Sequence, residues 1–306
     1  MTKTRIYRWY AQMIIKCSVN KYKKADYCIF TCYDFYNKYN HIPTLLFCDW
    51  DYETFLKRQE REPSLWDKKF INQQKEAIQS AQYVISLFPD SAKKIEKHFN
   101  VSHVHYLGGN VINCIYDGVL FLHEIVAKKK KARTILFVGD KKYIESARIL
   151  LKSFALLKEK ILHISLHIIG IGRNEMNNIP ENVYLHGYLD KGNDTQCRLY
   201  YELMKEATVI VNPNPEWGGF SSIVEAMYFY TPVVVAPYID FVETFGRNIN
   251  FGIYSNIYEE RAIAQNVETI LCSRDYDSLC FNAHEQVKGF TWSAYIDNLL
   301  NLVAKE

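Results

Sequence analysis

The chain has 306 residues, of which 48% are apolar, which is enough for roughly two domains with buried cores. Its net charge of +3 says little as a total, but no RNA-binding motif that combines basic and aromatic residues appears, so no nucleic acid partner is expected. No apolar run approaches the roughly 18 residues of a spanning helix, and no signal peptide pattern opens the chain, so a cytoplasmic protein is expected.

The charges are unevenly divided along the chain. Residues 1–133 contain 22 Lys and Arg against 13 Asp and Glu, whereas the remainder contains 15 and 21. This division predicts two domains with different partners. A basic first domain is suited to peripheral contact with an anionic membrane, such as the inner membrane face. The alternative is that its lysines only keep a tyrosine-rich domain soluble.

Short apolar segments alternate with charged, helix-like segments in the first part. Strands are predicted at 25–32, 43–51, 81–88 and 104–112, and helices over 53–80 and from Pro89. We therefore predict a first domain over 1–127. It is expected to be abbreviated, because residues 1–16 contain neither a strand pattern nor a glycine-rich turn. The basic run 128–133 is predicted to be a solvated linker.

A second domain is predicted over 134–306. Strands are predicted at 134–140, 161–172, 182–189 and 207–213, with helical segments between them. Strands that alternate with helices indicate an α/β fold with parallel sheets covered on both faces. Such sheets bind ligands at the carboxyl ends of their strands.

Glycine and basic residues follow two of these strands. One strand ends at Gly139 with Lys141 and Lys142 behind it, and the next ends at Gly170 with Arg173 close by. We expect these residues to line one crevice. Arg173 is suited either to reach a diphosphate or only to cap its own loop.

The segment NPEWGGFSSIVEAMYFYTPVVV follows the last of these strands. Gly218 and Gly219 allow the backbone to approach a ligand closely. Ser221 or Ser222 is expected to cap the helix that follows, whose free amides attract phosphate. Glu225, about one turn into that helix, is placed to accept hydrogen bonds from ribose hydroxyls. The segment therefore predicts a site for a nucleoside diphosphate sugar.

This segment resembles the signature of retaining glycosyltransferases of family 4, which have the GT-B fold. Their pattern has an acid, a glycine-rich turn, a second acid within Glu-Ala-Met, and then Thr-Pro-Val-Val. The resemblance extends over most of residues 81–300 through ILFVG, LHIIG, NVYLHGY and FTW. It implies two Rossmann-like doubly wound domains that face a cleft, the first one abbreviated here.

The resemblance also implies roles for individual residues. Glu225 would bind the donor ribose, and Tyr188 would lie near the nucleobase. The distal phosphate would be held by the glycine turn and the helix start, that is by Gly218, Gly219, Phe220 and Ser221. The first acid, which touches the donor sugar, corresponds to Glu216. The alternative is that Trp217 stacks on the sugar or base.

The chain departs from the family pattern where the diphosphate is neutralised. The family places an Arg after the ILFVG-like strand and a Lys shortly afterwards, but Asp140 and Glu145 stand near those positions. Lys141, Lys142 or Arg148 are the candidate substitutes. Stabilising the charge that develops on the leaving phosphate is a main contribution to catalysis, so this departure bears on whether the chain is active.

Asp49 follows a strand in the motif CDWD. An Asp-x-Asp motif after a strand is the metal-binding motif of another glycosyltransferase fold. As a three-residue pattern it is weaker evidence for a fold than the Glu-Ala-Met segment is. We predict that Asp49 is a polar group on the acceptor side, or else a structural loop acid. Eight cysteines show no paired metal spacing, so reduced thiols and no metal are expected.

The resulting hypothesis is an enzyme that moves a sugar from a UDP- or GDP-linked donor to an acceptor hydroxyl with retention. The acceptor would be a glycan or a lipid-linked glycan, in surface polysaccharide or glycoconjugate synthesis. No cofactor is expected besides the donor. The alternative is a catalytically weak subunit that supports a partner enzyme. An epimerase or phosphorylase has no supporting motif.

Overall fold

The computed structural model describes residues 5–108, 120–216 and 219–304. The chain divides into two compact units, Met1–Gly109 and Asn110–Glu306, each with its own parallel sheet. The prediction of an α/β chain with two parallel-sheet units is therefore confirmed.

The first unit is built on a four-stranded sheet in the order β1-β2-β3-β4. Its elements are α1 (Arg5–Lys21), β1 (Cys28–Phe30), β2 (Thr44–Cys48), α2 (Tyr52–Arg58), α3 (Leu65–Ser80), β3 (Tyr83–Ser86), α4 (Pro89–Phe99) and β4 (Val104–His105). Leu46 and Val84 on the sheet pack with Ile78 and Ile95 on the helices to form its core.

Local sequence sets the ends of these helices. Ser64 and Asp67 form a reciprocal capping box at the start of α3, and Asp51 caps α2 by accepting from the amide of Thr54. Asn100 ends α4 in the left-handed conformation that Asn tolerates well. Each predicted strand of this unit is present in shortened form, and the part of 104–112 from residue 109 onward lies outside the described residues.

The second unit is built on a six-stranded parallel sheet in the order β10-β9-β8-β5-β6-β7. Its elements are α5 (Leu122–Ala132), β5 (Thr134–Val138), α6 (Ile144–Lys158), β6 (Ser165–Ile169), β7 (Val183–Gly187), α7 (Asp194–Glu206), β8 (Ala207–Asn212), α8 (Ser221–Tyr228), β9 (Val233–Val235), α9 (Ile239–Phe245), β10 (Gly252–Tyr254), α10 (Glu260–Leu271), α11 (Tyr276–Val287) and α12 (Trp292–Val303). Ile135, Leu166 and Val209 of the central strands are fully buried in its core.

The basic run 128–133 does not form the solvated linker that its charge predicts. Residues up to Ala132 belong to α5, which packs against α7 and β8 within the second unit. The Lys129 side chain is 0% exposed, and its ammonium group donates to the carbonyls of Met204 and Ala207 and to the hydroxyl of Thr231. These three acceptors replace the water that a lysine loses on burial. Lys128 and Lys131 remain exposed.

No helix in the described residues is both long enough and apolar enough to cross a membrane. The seven cysteines within those residues are all free thiols.

Candidate functional site

The sheet of the second unit reverses its strand order between β5 and β8. From β5 the chain adds β6 and β7 on one side, and then returns to add β8, β9 and β10 on the other. In open parallel sheets, the loops that leave the two strands at such a reversal diverge and open a crevice at their carboxyl ends. The loop after β5 begins at Gly139, and the loop after β8 begins at Pro213 and leads to α8.

Gly139 and Gly170 lie side by side at this edge of the sheet. The amide of Gly139 donates to the carbonyl of Ile169 at 3.0 Å, and Gly170 has φ +97°. A Cβ on Gly170 would overlap the backbone carbonyl of Gly139, so both the backbone angle and the space require glycine. The structure therefore brings these two predicted residues together.

The cations after β5 are mostly engaged by neighbouring acids. The Lys142 ammonium lies 3.6 Å from the Asp140 carboxylate, which also caps a short 3₁₀ turn by accepting from the Lys142 amide. Arg148 pairs with Glu145 on α6. Lys141 is exposed and takes part in no ion pair among the described residues. Lys141 thus differs from Lys142 and Arg148 in that no described acid pairs with it.

Arg173 and Tyr188 are exposed side chains of the loops that follow β6 and β7. Tyr188 is 80% exposed, and Arg173 makes no hydrogen bond to another described residue. The amide of Gly172 is instead bound by the carboxylate of Glu175 at 2.8 Å, so this loop is closed without Arg173. Both side chains remain free to meet a ligand, and their predicted roles stay predictions.

The segment before α8 holds the remaining predicted residues. Glu216 is exposed, and its amide donates to the Asn214 side chain at 3.0 Å. Trp217 and Gly218 lie outside the described residues. Gly219 is half-buried and lies two residues before the helix begins at Ser221.

The predicted cap of α8 is wrong. Phe220 occupies the cap position, and no side chain caps the helix, because Ser221 and Ser222 already lie within its first turn. Phe220 is fully buried against Tyr238, Phe241 and other rings, so its side chain does not face solvent. The first-turn amides of an α-helix have no acceptor within the helix, and a helix start of this kind favours a bound anion.

Glu225 lies on the buried side of α8 with its carboxylate held by two protein donors. The Lys191 ammonium donates to both oxygens, at 2.7 and 2.9 Å, and the Tyr200 hydroxyl donates to one of them. The Glu225 side chain is 3% exposed and that of Lys191 is 27% exposed. Lys191 also lies over the Tyr200 ring, 4.2 Å from its centroid. A buried carboxylate is tolerated here because it is paired and hydrogen-bonded.

Lys191 and Tyr200 were not predicted from the sequence. Lys191 is positioned by a turn in which Asp190 accepts from the amide of Gly192, and Asn193 then caps α7. Tyr200 lies on α7 beside Leu199, Tyr201 and Leu203 in the sequence, and nothing in that apolar run distinguishes it from these neighbours. The turn residues Asp-Lys-Gly predict a loop but carry no signal that its lysine returns to a carboxylate 34 residues away.

Asn212 ends β8 beside this helix. Asn212 is 1% exposed, and its side-chain oxygen Oδ1 accepts from the backbone amide of Asn214 at 3.1 Å. Its amide nitrogen is buried and has no hydrogen-bond partner among the described residues. This donor lies at the strand whose end opens the crevice.

Two histidines form a stacked pair on β6 and β7. His167 Nδ1 lies 3.0 Å from His186 Nε2, and the ring planes differ by 16°. Burial lowers the pKa of His167 to about 4, the nearby His186 adding to the shift, and burial also lowers the pKa of His186. The pair is therefore neutral at pH 7. His163 precedes β6 and is not part of this pair.

Asp49 lies in the first unit, directly after β2. It is exposed, and its carboxylate accepts from the Trp50 amide at 2.8 Å. The second acid of CDWD, Asp51, is a fully buried helix cap. Within the residues that the structure describes, no cluster of three His, Cys, Asp or Glu side chains is arranged to hold a metal ion.

Known proteins resemble this chain in part of its sequence and in its fold. Residues 132–273 match the family model described as glycosyl transferases group 1. No curated protein matches the chain. A sucrose-phosphate synthase from Thermosynechococcus elongatus is 14% identical, with a TM-score of 0.66 over 95% of this chain and 77% of that one.

Two further solved structures have a similar fold. WaaG, a glycosyltransferase involved in lipopolysaccharide biosynthesis, is 15% identical with a TM-score of 0.63, over 96% of this chain and 81% of that one. TarM is 18% identical with a TM-score of 0.54 over 85% of this chain, which spans only 54% of the TarM chain. Together with the sheet order, these matches show that the chain has the GT-B fold of these glycosyltransferases, and that residues 132–273 are similar to the glycosyl transferases group 1 family.

Proposed function

We propose that the chain transfers a sugar from a nucleoside diphosphate donor to an acceptor hydroxyl, with retention of the anomeric configuration. The observation that carries this proposal is the Glu225 carboxylate, buried on the helix that follows the strand-order reversal. The family resemblance gives a carboxylate at this position the role of binding the donor ribose. Such a carboxylate accepts hydrogen bonds from both hydroxyls of a ribose.

The proposed diphosphate site consists of Lys141, the turn at Gly219 and the first-turn amides of α8. Backbone amides at a helix start and an ammonium group both favour bound phosphate. Glu216 contacts the donor sugar in this proposal, and Arg173 and Tyr188 approach the diphosphate and the base. The leaving phosphate takes the proton from the acceptor hydroxyl on the same face of the sugar, so no separate general base is required.

A UDP-linked donor is proposed first. Two structural neighbours are described as complexes of HepE with UDP and glucose and of pneumococcal GtfA with UDP and GlcNAc. A GDP-linked donor is the alternative. The proposed acceptor is a glycan or lipid-linked glycan of a surface polysaccharide or glycoconjugate, reached by peripheral contact with an anionic membrane. Asp49 is proposed as a polar group on the acceptor side.

Calorimetric titration with UDP, GDP and their sugar conjugates tests the donor site. We expect one nucleotide to bind, and Glu225→Ala to weaken binding at least 100-fold because two hydrogen bonds to a charged group are lost. Glu202→Ala is the matched control, since Glu202 is an exposed acid on the nearby α7. Unchanged binding in Glu225→Ala would exclude this carboxylate as the ribose site.

A second candidate is a catalytically weak subunit that supports a partner enzyme. The observation in its favour is that Lys142 and Arg148 are each paired with an acid of the same segment, which weakens the charge available to a leaving diphosphate. Donor binding without donor hydrolysis or transfer, at any enzyme concentration, would favour this candidate. Release of UDP that depends on an added acceptor would favour the enzyme.

A further inference from the structure

Helix α1 is attached to the first unit by one face only. On that face Val19 is buried, Arg8 donates to the carbonyl of Asp34, and the Gln12 side chain accepts from the hydroxyl of Tyr39. The Arg8 guanidinium also lies over the Phe35 ring, 5.0 Å from its centroid. At 100° per residue, positions 8, 12, 15 and 19 share this face.

The opposite face of α1 is apolar and open to solvent. Five large apolar side chains on it are between 45% and 81% exposed; they are Ile6, Trp9, Tyr10, Met13 and Ile14. A surface helix normally places such residues toward the core, whereas α1 leaves these five in solvent. A contiguous exposed apolar patch of this kind marks an interaction surface.

Exposed lysines adjoin this patch and no acid lies near it in sequence. Lys16, Lys21, Lys23 and Lys24 are exposed, and residues 5–25 contain no Asp or Glu. A second copy of the chain seated on the patch would bring like charges together. An anionic lipid surface instead complements the lysines and accepts the apolar side chains at the level of its headgroups.

We propose that the outward face of α1 is the surface by which this protein binds an anionic membrane, lying in the interface with Trp9 and Met13 inserted. Tryptophan and tyrosine favour the headgroup level, where the ring is partly buried and its polar atom stays wet. This inference rests on the membrane contact proposed above, and it does not depend on whether sugar transfer occurs.

Vesicle co-sedimentation tests the surface with the full chain. We expect binding to vesicles of phosphatidylcholine with phosphatidylglycerol, weakened at high salt, and much weaker binding to pure phosphatidylcholine. Trp9→Ser/Met13→Ser is expected to lower binding at least about tenfold, since two inserted apolar side chains are lost. The matched control is Leu162→Ser/Phe281→Ser, two exposed apolar residues of the second unit, with unchanged binding expected.

A second variant keeps the test independent of folding. Trp9→Phe should retain vesicle binding but lose most of the fluorescence quenching that brominated lipids cause. Binding that is equal in wild type and Trp9→Ser/Met13→Ser would overturn the inference. So would a stable dimer in solution that the same double variant converts to monomer. Calorimetric UDP binding, measured on each variant without vesicles, separates failure of this surface from failure of the donor site.

Discussion

At the scale of single residues, the buried Glu225 carboxylate depends on Lys191. Glu225 could be predicted because Glu-Ala-Met follows a glycine turn in a specific pattern, whereas Lys191 comes from a loop whose residues signal only a turn. Glycine and helix-start positions are local properties of a sequence. The return of one side chain to another across the fold is not.

We expect Lys191→Met and Glu225→Gln each to lower the free energy of unfolding by about 1–3 kcal/mol, because each leaves a buried polar partner unmatched. The double variant should lose less than the sum of the two. Lys160→Met, which removes the cation of an exposed pair with Glu268, should change stability by less than about 0.5 kcal/mol. Urea denaturation of the four variants measures these values, and strictly additive losses would contradict the coupling.

The His167–His186 pair predicts a pH dependence of stability. Above about pH 6.5 both rings are neutral in the folded and unfolded states. As the pH falls from 6.5 toward 4, His167 binds a proton in the unfolded state but not in the folded state, so the free energy of unfolding falls. After allowance for solvent screening of these partly exposed rings, we expect a loss of about 1 kcal/mol.

Urea denaturation between pH 7 and pH 4.5 measures this loss in the wild type and in His167→Gln/His186→Gln. Carboxylates titrate in both proteins, so the difference between the two curves isolates the histidines. Identical pH dependence would show that the pair does not resist protonation.

At the scale of elements, helix α5 shows where composition misleads. Four consecutive lysines predict a solvated segment, yet the period of the helix turns Lys129 inward while Lys128 and Lys131 stay exposed. Burial lowers the pKa of Lys129 to about 7. Strands β5 to β8 were predictable because each is a short apolar run that ends at, or directly before, a glycine or asparagine, and such runs have few alternatives inside a parallel sheet.

We expect Lys129→Ala to lower the free energy of unfolding by about 3 kcal/mol, since it leaves a cavity and removes the donor to three buried acceptors. Lys128→Ala, one residue away on the same helix, should stay within about 0.5 kcal/mol of wild type. Thermal and urea unfolding of the two variants test this contrast. Equal effects would mean that Lys129 is solvated.

At the scale of the whole molecule, the chain divides nearer its start than the sequence suggests, at Gly109 rather than within 128–133. The reason is that α5 contributes Ile125 and Val126 to the core of the second unit. The residues proposed to hold the donor, from Gly139 to Glu225, all belong to that unit.

A fragment of residues 120–306 is therefore expected to unfold cooperatively and to bind UDP within about threefold of the full chain, since it keeps its own core. Denaturation and calorimetry of the fragment measure both properties, with Glu225→Ala in the fragment as the control. A folded fragment that does not bind UDP would show that the first unit contributes to the donor site.

The three hydrogen bonds to Glu225 bear on the proposed ribose site. A carboxylate has about four lone-pair positions, and Lys191 uses two of them and Tyr200 a third. The two hydroxyls of a ribose need two positions, so binding as proposed requires that at least one resident hydrogen bond be exchanged. Lys191 is 27% exposed whereas Tyr200 is buried, so we expect the exchange to occur at Lys191.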